Sequence, residues 1–403
     1  MQYLKRKLNS KKARVLTRYR YYEMKNSAND LSDIIPDRLK WLSAVLGWCA
    51  KSVDTLADRL AFDAFANDEF YFNEIFRLNN ADILFDSAVL SSLISSCSFI
   101  YIGKDGDGYP FLQVIDGSNA TGSIDPVTDL LTEGYAVLEK DEFDKPILEA
   151  HFKPYQTDYY QNGKIIDSTR HSAPYALLVP IINRPDAKRP FGHSRISRTC
   201  MSVTQSAMRT LRRSEVSAEF YSVPQKYVLG LSEDAEFNNK KATLSAFLDF
   251  RKDEDGEKPS VGQFQQQSMT PYVEQLKMLA SIFAGETGLT LDDLGFSTSN
   301  PSSSEAIKAS HENLRLTARK AQRSFGTGFL NAGYLAACIR DNIGYERKAF
   351  CNVKPVWLPI FEPDASTLGV IGDAILKINQ AAPGFLGAGN IKQLTGLESD
   401  FDE

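Results

Sequence analysis

Residues 179–196 read Val179-Pro180-Ile181-Ile182-Asn183-Arg184-Pro185-Asp186-Ala187-Lys188-Arg189-Pro190-Phe191-Gly192-His193-Ser194-Arg195-Ile196, and they separate two textures of the chain. The three prolines, Pro180, Pro185 and Pro190, mark a loop, because proline lacks an amide donor and pushes the residue before it out of the helical region. Upstream, from about residue 98 to 182, the signals are those of antiparallel strands. Phe99, Tyr101 and Gly103 lead into Lys104-Asp105-Gly106-Asp107-Gly108, and Phe111, Gln113 and Ile115 continue beyond it, a β-hairpin pattern. A second hairpin is expected at 158–166, where Asn162-Gly163 suits a type I′ turn. Downstream, Gly192-His193-Ser194 opens a helix expected over 194–222. Ser194 reads as its N-cap, Ile196, Val203, Met208 and Leu211 as its apolar face, and Pro224 as its stop. Sheet followed by helices makes an α+β chain.

Working outward, the segment ahead of the sheet is helix-rich. Leu42, Val45, Leu46, Cys49, Val53, Leu56, Ala57 and Leu60 fall at helical spacing between Trp41 and Leu60, and a second helix runs through Ile83, Leu84, Ser87, Leu90 and Ile94. After the 194–222 helix comes an insert, residues 223–267. It has a strand-like start at Lys226-Tyr227-Val228-Leu229, a helical stretch around 242–250 and a charged loop from 251 to 258. Thr270-Pro271 then starts a third helix, striped by Tyr272, Leu276, Leu279 and Phe283 and ended by Gly285 and Gly288. Beyond a polar loop, Ser302 and Glu305 form a capping box for the longest helix, expected to run to about Asp341. Forty residues at ~1.5 Å each would be ~60 Å, too long for a compact core, so Gly326, Gly328 and Gly333 read as points of bending. Residues 350–361 read as strand, 364–380 as a short helix, and the remainder as a Gly-rich tail.

Composition narrows the class. The 403 residues are 43% hydrophobic and 24% charged, ordinary for a soluble globular chain of one elongated body or two or more domains. Forty-six Lys and Arg against 51 Asp and Glu leave a net charge of −5. A tight DNA binder draws its affinity from neutralising phosphates, so this acidity argues against one. Five cysteines (Cys49, Cys97, Cys200, Cys338, Cys351), without CxxC spacing, read as buried, reduced thiols. The Lys/Arg-rich start, residues 1–20, has no apolar core behind it and is not a secretory signal. Residues 176–182 fall far short of the ~20 that span a bilayer, so the expectation is a soluble protein made in a reducing compartment, with no membrane role.

Catalytic signatures fail on inspection. Gly192-His193-Ser194-Arg195-Ile196 lacks the last glycine of a nucleophile elbow. Gly387-Ala388-Gly389 has Lys392 where a dinucleotide fingerprint needs its third glycine. In a calcium loop starting at Asp105, Pro110 would occupy the glycine position, so a plain turn is the better reading. His151, His171, His193 and His311 are scattered singly and read as surface or capping residues, with no metal site and no cofactor expected. Asp292-Asp293 is the carboxylate pair best placed for chemistry, against the plainer reading of a solvated loop.

The order of segments adds a resemblance. Residues 48–60 (Trp48-Cys49-Ala50-Lys51-Ser52-Val53 onward), 179–196, 218–230 (Ala218-Glu219-Phe220-Tyr221-Ser222-Val223-Pro224 onward) and 289–295 with Asn300-Pro301-Ser302-Ser303-Ser304-Glu305-Ala306-Ile307 follow one another as they do in the portal proteins of long-tailed bacteriophages. The chain resembles that head-to-tail connector family from about residue 20 to 365. The resemblance implies an elongated α+β portal fold assembled as a ring, usually of twelve subunits, around a DNA tunnel. It implies a mixed wing over 1–190, stem helices over 191–222 and 268–287, and a small α/β clip at 223–267. A tunnel loop at 288–303, a long helix with wing return over 304–363 and a reduced crown over 364–403 complete the plan.

By the same resemblance, Asp292, Asp293, Ser297, Ser299 and Asn300 become tunnel-loop rings. Lys226, Arg251, Lys252 and Lys258 become the clip's docking surface. Arg209, Arg212 and Arg213, and the i, i+4, i+8 row Arg315, Arg319 and Arg323, become contacts to DNA or a neighbouring subunit, against the equally weighted reading of a solvated or salt-bridged face. Implied partners are further copies of the chain, the large terminase subunit, a head-tail adaptor, major capsid and scaffolding proteins, and double-stranded DNA as sliding cargo. The implied locations are the virion's portal vertex and, during assembly, the host cytoplasm. No catalytic residue is implied. The competing expectations are another virion structural protein, such as a minor head protein, and a metal-dependent nuclease using Asp292, Asp293 and Glu305.

Overall fold

Downstream of residue 96 the alternating pattern becomes two antiparallel sheets. The structure, a computed structural model, describes residues 1–27, 42–221, 226–229, 260–263, 268–296, 309–361, 363 and 365–397. A three-stranded sheet has the order β3-β2-β9, from β2 (Cys97–Lys104), β3 (Pro110–Ile115) and β9 (Leu178–Ile182). A five-stranded meander runs β4-β5-β6-β7-β8 in chain order: β4 Ala120–Ile124, β5 Leu131–Lys140, β6 Pro146–Lys153, β7 Gln156–Gln161 and β8 Lys164–Arg170. Both expected hairpins form. Asn162 and Gly163 take φ of 50° and 77°, as a type I′ turn requires. Asp105 Oδ1 accepts from the amides of Asp107 (3.1 Å) and Tyr109 (2.6 Å), so that carboxylate serves its own turn. Pro180, expected in a loop, instead pairs with Phe99 within β9; β9 is an edge strand, where a missing amide is tolerated.

The helices depart further from expectation. The basic start folds as α1 (Gln2–Tyr22), burying only Leu4, Leu8 and Val15. The helix expected over 41–60 is α2, Trp48–Ala57, and 42–47 are not helical. After β1 (Phe62–Ala66) and α3 (Phe72–Leu78), α4 (Ala81–Ser95) turns Leu84, Phe85, Ala88, Val89, Ser92 and Leu93 inward. Of the face read from the sequence, Leu84 and Ile94 are buried and Leu90 is half-buried, but Ile83 is 74% exposed and Ser87 is exposed. The next helix, α5, begins at Arg198 and ends at Tyr221. Its N-cap is Ser197, whose Oγ accepts the Cys200 amide (3.1 Å), and not Ser194, whose Oγ donates to Ile94 O (2.6 Å).

The chain divides into two compact units. One holds Met1–Lys25, Gly47–Met201 and Ala284–Glu403; the other holds Asn26–Leu46 and Ser202–Phe283. In the second, α5 buries Val203, Ala207 and Met208, and β10 (Lys226–Leu229) pairs antiparallel with β11 (Ser260–Gln263). The expected helix around 242–250 lies outside the described residues. The helix α6 (Thr270–Thr287) carries the expected stripe, with Leu279 and Phe283 buried.

The first unit is centred on α7 (Glu312–Asp341). Its glycines permit close approach: a Cβ on Gly326 would stand 2.7 Å from Pro355, on Gly328 2.7 Å from Ile181, and on Gly333 2.7 Å from Phe72. Beside it Phe62, Phe65, Phe72, Phe76, Phe85, Phe329 and Trp357 form one aromatic cluster; Phe62 and Phe85 centroids are 4.2 Å apart. The strand expected over 350–361 reduces to β12 (Lys354–Trp357), paired with β1 after a short 3-10 turn. The tail carries α8 (Ala365–Ala381) and, unexpectedly, α9 (Ala388–Thr395). Cys351 is exposed, whereas the other four thiols are buried. His151, expected near the surface, is buried, with Nε2 2.6 Å from Glu133. Among the described residues no helix is long and apolar enough to cross a membrane.

Candidate functional site

The loop after α6 is organised by its own side chains. Gly288 ends the helix at φ 70°, its amide donating to Ala284 O (2.8 Å). Thr290 and Asp293 then cap each other. Asp293 Oδ2 accepts from Thr290 N (2.8 Å) and Thr290 Oγ1 (2.9 Å), and the Asp293 amide donates to Thr290 Oγ1 (3.2 Å). This sets the 3-10 turn Asp292–Leu294, which Gly295 closes at φ 88°. His311 Nδ1, just ahead of α7, is 3.8 Å from Asp293 Oδ2. Asp292 is thus exposed, while Asp293 is half-buried and occupied within the loop.

The adjacent aspartates therefore do different jobs. A nuclease site would need both carboxylates turned to one cation, and Asp293 is already the loop's internal acceptor. Among the described residues no group of three or more His, Cys, Asp or Glu is placed to hold a metal. Glu305, Ser297, Ser299, Asn300, Arg251, Lys252 and Lys258 lie outside the described residues. Lys226 stands opposite Gln263 in the β10–β11 register.

The arginine rows are mixed. Arg315 makes two 2.7 Å contacts with Glu312 on the same helix face, while Arg319 and Arg323 are exposed. On α5, Arg209 Nη2 donates to Ser206 Oγ (2.9 Å), Arg213 is exposed, and Arg212 is buried at 7% exposure. Of the three, only Arg213 is exposed; Arg209 is half-buried and Arg212 buried.

Arg195 is a structural residue that sequence reasoning missed. It is 7% exposed, and its guanidinium donates through Nε to Ser52 O (3.2 Å) and through Nη2 to Thr287 O. Its amide donates to Leu93 O (2.8 Å). Burial pulls its pKa down to about 10, which still leaves it charged at neutral pH. One residue thus ties α2 and the end of α6 through its side chain and the end of α4 through its amide, holding the base of the Gly288–Phe296 loop. Its side-chain partners are 143 and 92 residues away, so no local signal announces it.

No family model matches the chain. It is 24% identical over 384 residues to the portal protein of Mycobacterium phage L5, covering 89% of this chain and 77% of that one. The portal protein of Mycobacterium phage D29 matches with the same identity and coverage. Among solved structures, the neck of an empty gene transfer agent particle, computed with C6 symmetry, aligns at a TM-score of 0.51. That alignment has 14% identity and covers 87% of this chain and 90% of that one, a likeness of fold. The mixed helix-and-strand chain is thus similar to two phage portal proteins along 89% of its length.

Proposed function

We propose that this chain is the portal subunit of a tailed-phage-like particle, forming a ring through which double-stranded DNA passes. The observation that carries the reading is the similarity to two portal proteins over 89% of the chain. The ring is most simply twelvefold. Residues 1–190 form the wing, to which 304–363 return; 191–222 and 268–287 form the stem; 223–267 form the clip that docks the terminase and later the tail adaptor. Residues 288–303 face the tunnel, and 364–403 are a reduced crown. Major capsid and scaffolding proteins surround the ring, at the virion's portal vertex and, during assembly, in the host cytoplasm. Support for a separate stem and clip comes from the compact unit that includes residues 202–283.

The role is passive: the packaging motor supplies force and the ring supplies a gate. Twelve chains at −5 carry about −60, which suits sliding, since a strongly basic tunnel would grip phosphates. Negative-stain microscopy of the purified full chain tests the proposal. Rings with a central channel are expected. Monomers that persist under assembly conditions, or closed particles without a channel, overturn it, the latter in favour of another head protein.

A further inference from the structure

We infer that the stripe of Lys7, Lys11, Arg14 and Arg18 along α1, with Arg189 beside it, is a binding surface for the phosphodiester backbone of nucleic acid. The inference does not rest on the ring. It starts from a charge asymmetry that the net −5 conceals. Residues 1–25 contain nine Lys and Arg and one acidic residue, a balance of +8, leaving 37 basic against 50 acidic residues, or −13, in the rest.

The four positions are spaced i, i+4, i+7 and i+11, which puts them on one helical stripe about 16 Å long at ~1.5 Å per residue. Three other cations of the segment are paired off that stripe. Lys5 pairs with Glu149 (2.6 Å), Lys12 with Asp144 (3.3 Å) and Lys25 with Glu23 (2.7 Å). Among the described residues no carboxylate stands within 4 Å of Lys7, Lys11, Arg14 or Arg18. The two lysines are also held in place. Lys7 Nζ donates to Gly122 O (2.7 Å) and sits 4.9 Å from the Phe191 ring centroid, and Lys11 Nζ is 5.2 Å from that of Phe99.

Like charges are therefore fixed side by side. Lys7, Lys11 and Arg18 are all pulled below their ordinary pKa, first by burial. Lys11 adds to the effect on Lys7, Arg14 to that on Lys11, and Arg14 with Arg189 to that on Arg18. The groups that offset this at Lys11 are the buried Cys97 thiol first and Asp116 second, and the oxygens of Asp116 accept from Ser118 N (2.7 Å) and Asn119 Nδ2 (2.5 Å). Asp186, on the loop with Arg189, is engaged by His193 (2.6 Å). A bound polyanion would relieve the repulsion.

A phosphate strand fits better than an acidic peptide. Steps of about 4.5–6 Å over about 16 Å are longer than the ~3.4 Å of axis per charge on a nucleic-acid strand, so a stretch of about five phosphates offers each of the four cations a phosphate of its own. The guanidinium forks of Arg14 and Arg18 suit phosphate oxygens.

The test is fluorescence anisotropy of the full chain with a labelled 30-base-pair duplex of arbitrary sequence between 50 and 200 mM salt. Four phosphate contacts predict a slope of log K against log salt of about −3.6. Arg14→Gln with Arg18→Gln should reduce that slope by about 2 and weaken binding at least tenfold at 50 mM salt. Lys12→Gln with Lys25→Gln, which removes paired cations off the stripe, should leave the slope within about 0.5 of the parent. Thermal melts of both variants check that they fold. No duplex binding by the parent, or an unchanged slope in the Arg14/Arg18 variant, overturns the inference. So does displacement of the duplex by polyglutamate at equal charge concentration, which would assign the surface to an acidic protein partner.

Discussion

Gly192→Ala strikes the seam between sheet and helices, and its cost follows from three observations. Gly192 has φ of 70°, a region that costs an alanine about 1 kcal/mol. An added Cβ would stand 2.1 Å from Asn183 O and 2.8 Å from Ile182 Cγ2. That carbonyl is fixed, because it accepts the His193 amide (2.8 Å) while Asn183 Nδ2 donates to His193 O (2.7 Å) and Asn183 N to Ser96 O (2.9 Å). Relieving the clash moves the carbonyl and strains this clamp, adding about 1–3 kcal/mol of overpacking and about 1 kcal/mol for a lost hydrogen bond. The expected destabilisation is about 3–5 kcal/mol, or a fall in Tm of about 4–6 °C by differential scanning fluorimetry for a chain of 403 residues. Gly163→Ala separates the causes: its φ is 77°, but no atom lies within 4 Å of the new Cβ. That variant should lose only about 1 kcal/mol, roughly 1 °C. A Gly192→Ala shift no larger than that of Gly163→Ala would refute the steric argument.

Two more perturbations probe the first unit. Arg195→Met leaves Ser52 O and Thr287 O without their donor in a buried setting, and should cost about 2–4 kcal/mol in urea unfolding, with Arg195→Lys recovering part of it; a neutral Arg195→Met would remove the bracket. Acidification should weaken the fold below about pH 6.5. Burial lowers the pKa of His151, outweighing the opposing Glu133 hydrogen bond, and burial lowers that of His171 as well. The unfolded chain then takes up protons first as pH falls through 6.5, so the contribution is complete above that value and declines beneath it. The urea midpoint should drop between pH 7.5 and 5.5 and drop less in His151→Gln; a midpoint that rises on acidification contradicts the assignment.

What the sequence made legible was local. Turn chemistry at Asp105 and at Asn162-Gly163 located both hairpins, because each turn is satisfied by residues a few positions apart. The stripe of α6 was visible because Tyr272, Leu276, Leu279 and Phe283 recur at helical spacing, although Val273, Met278 and Ile282 are exposed off that stripe. Failures came where partners are distant. Ile83 looked like a core residue by spacing, yet the buried face of α4 is set by its contacts: Ser92 Oγ donates to Ile181 O (2.7 Å), eighty-nine residues away. Arg195 and Asp293 show the same limit at the candidate site. A charged residue next to Ile196 gives no hint that its partners are main-chain carbonyls, and Asp292-Asp293 reads as a pair until Thr290 is seen to engage one member.

The long helix shows why length alone misled. Thirty residues at ~1.5 Å span about 45 Å, and a compact core holds only half of that. Up to Ser324 the helix is two-sided: Leu314, Ala318 and Ala321 face inward, and Arg319, Lys320 and Arg323 face out. From Phe325 to Ile339 every residue is buried except Thr327, which is exposed, and Leu330, which is half-buried. That stretch carries no charged residue, the composition of a helix covered all round. Its glycines are then packing positions, since at Gly326, Gly328 and Gly333 a neighbour occupies the space that a Cβ would need. Arg319 and Arg323 belong to the uncovered half, where a solvated face and a contact surface cost the fold equally little, so selection for a partner could act there without disturbing the core that the other half builds.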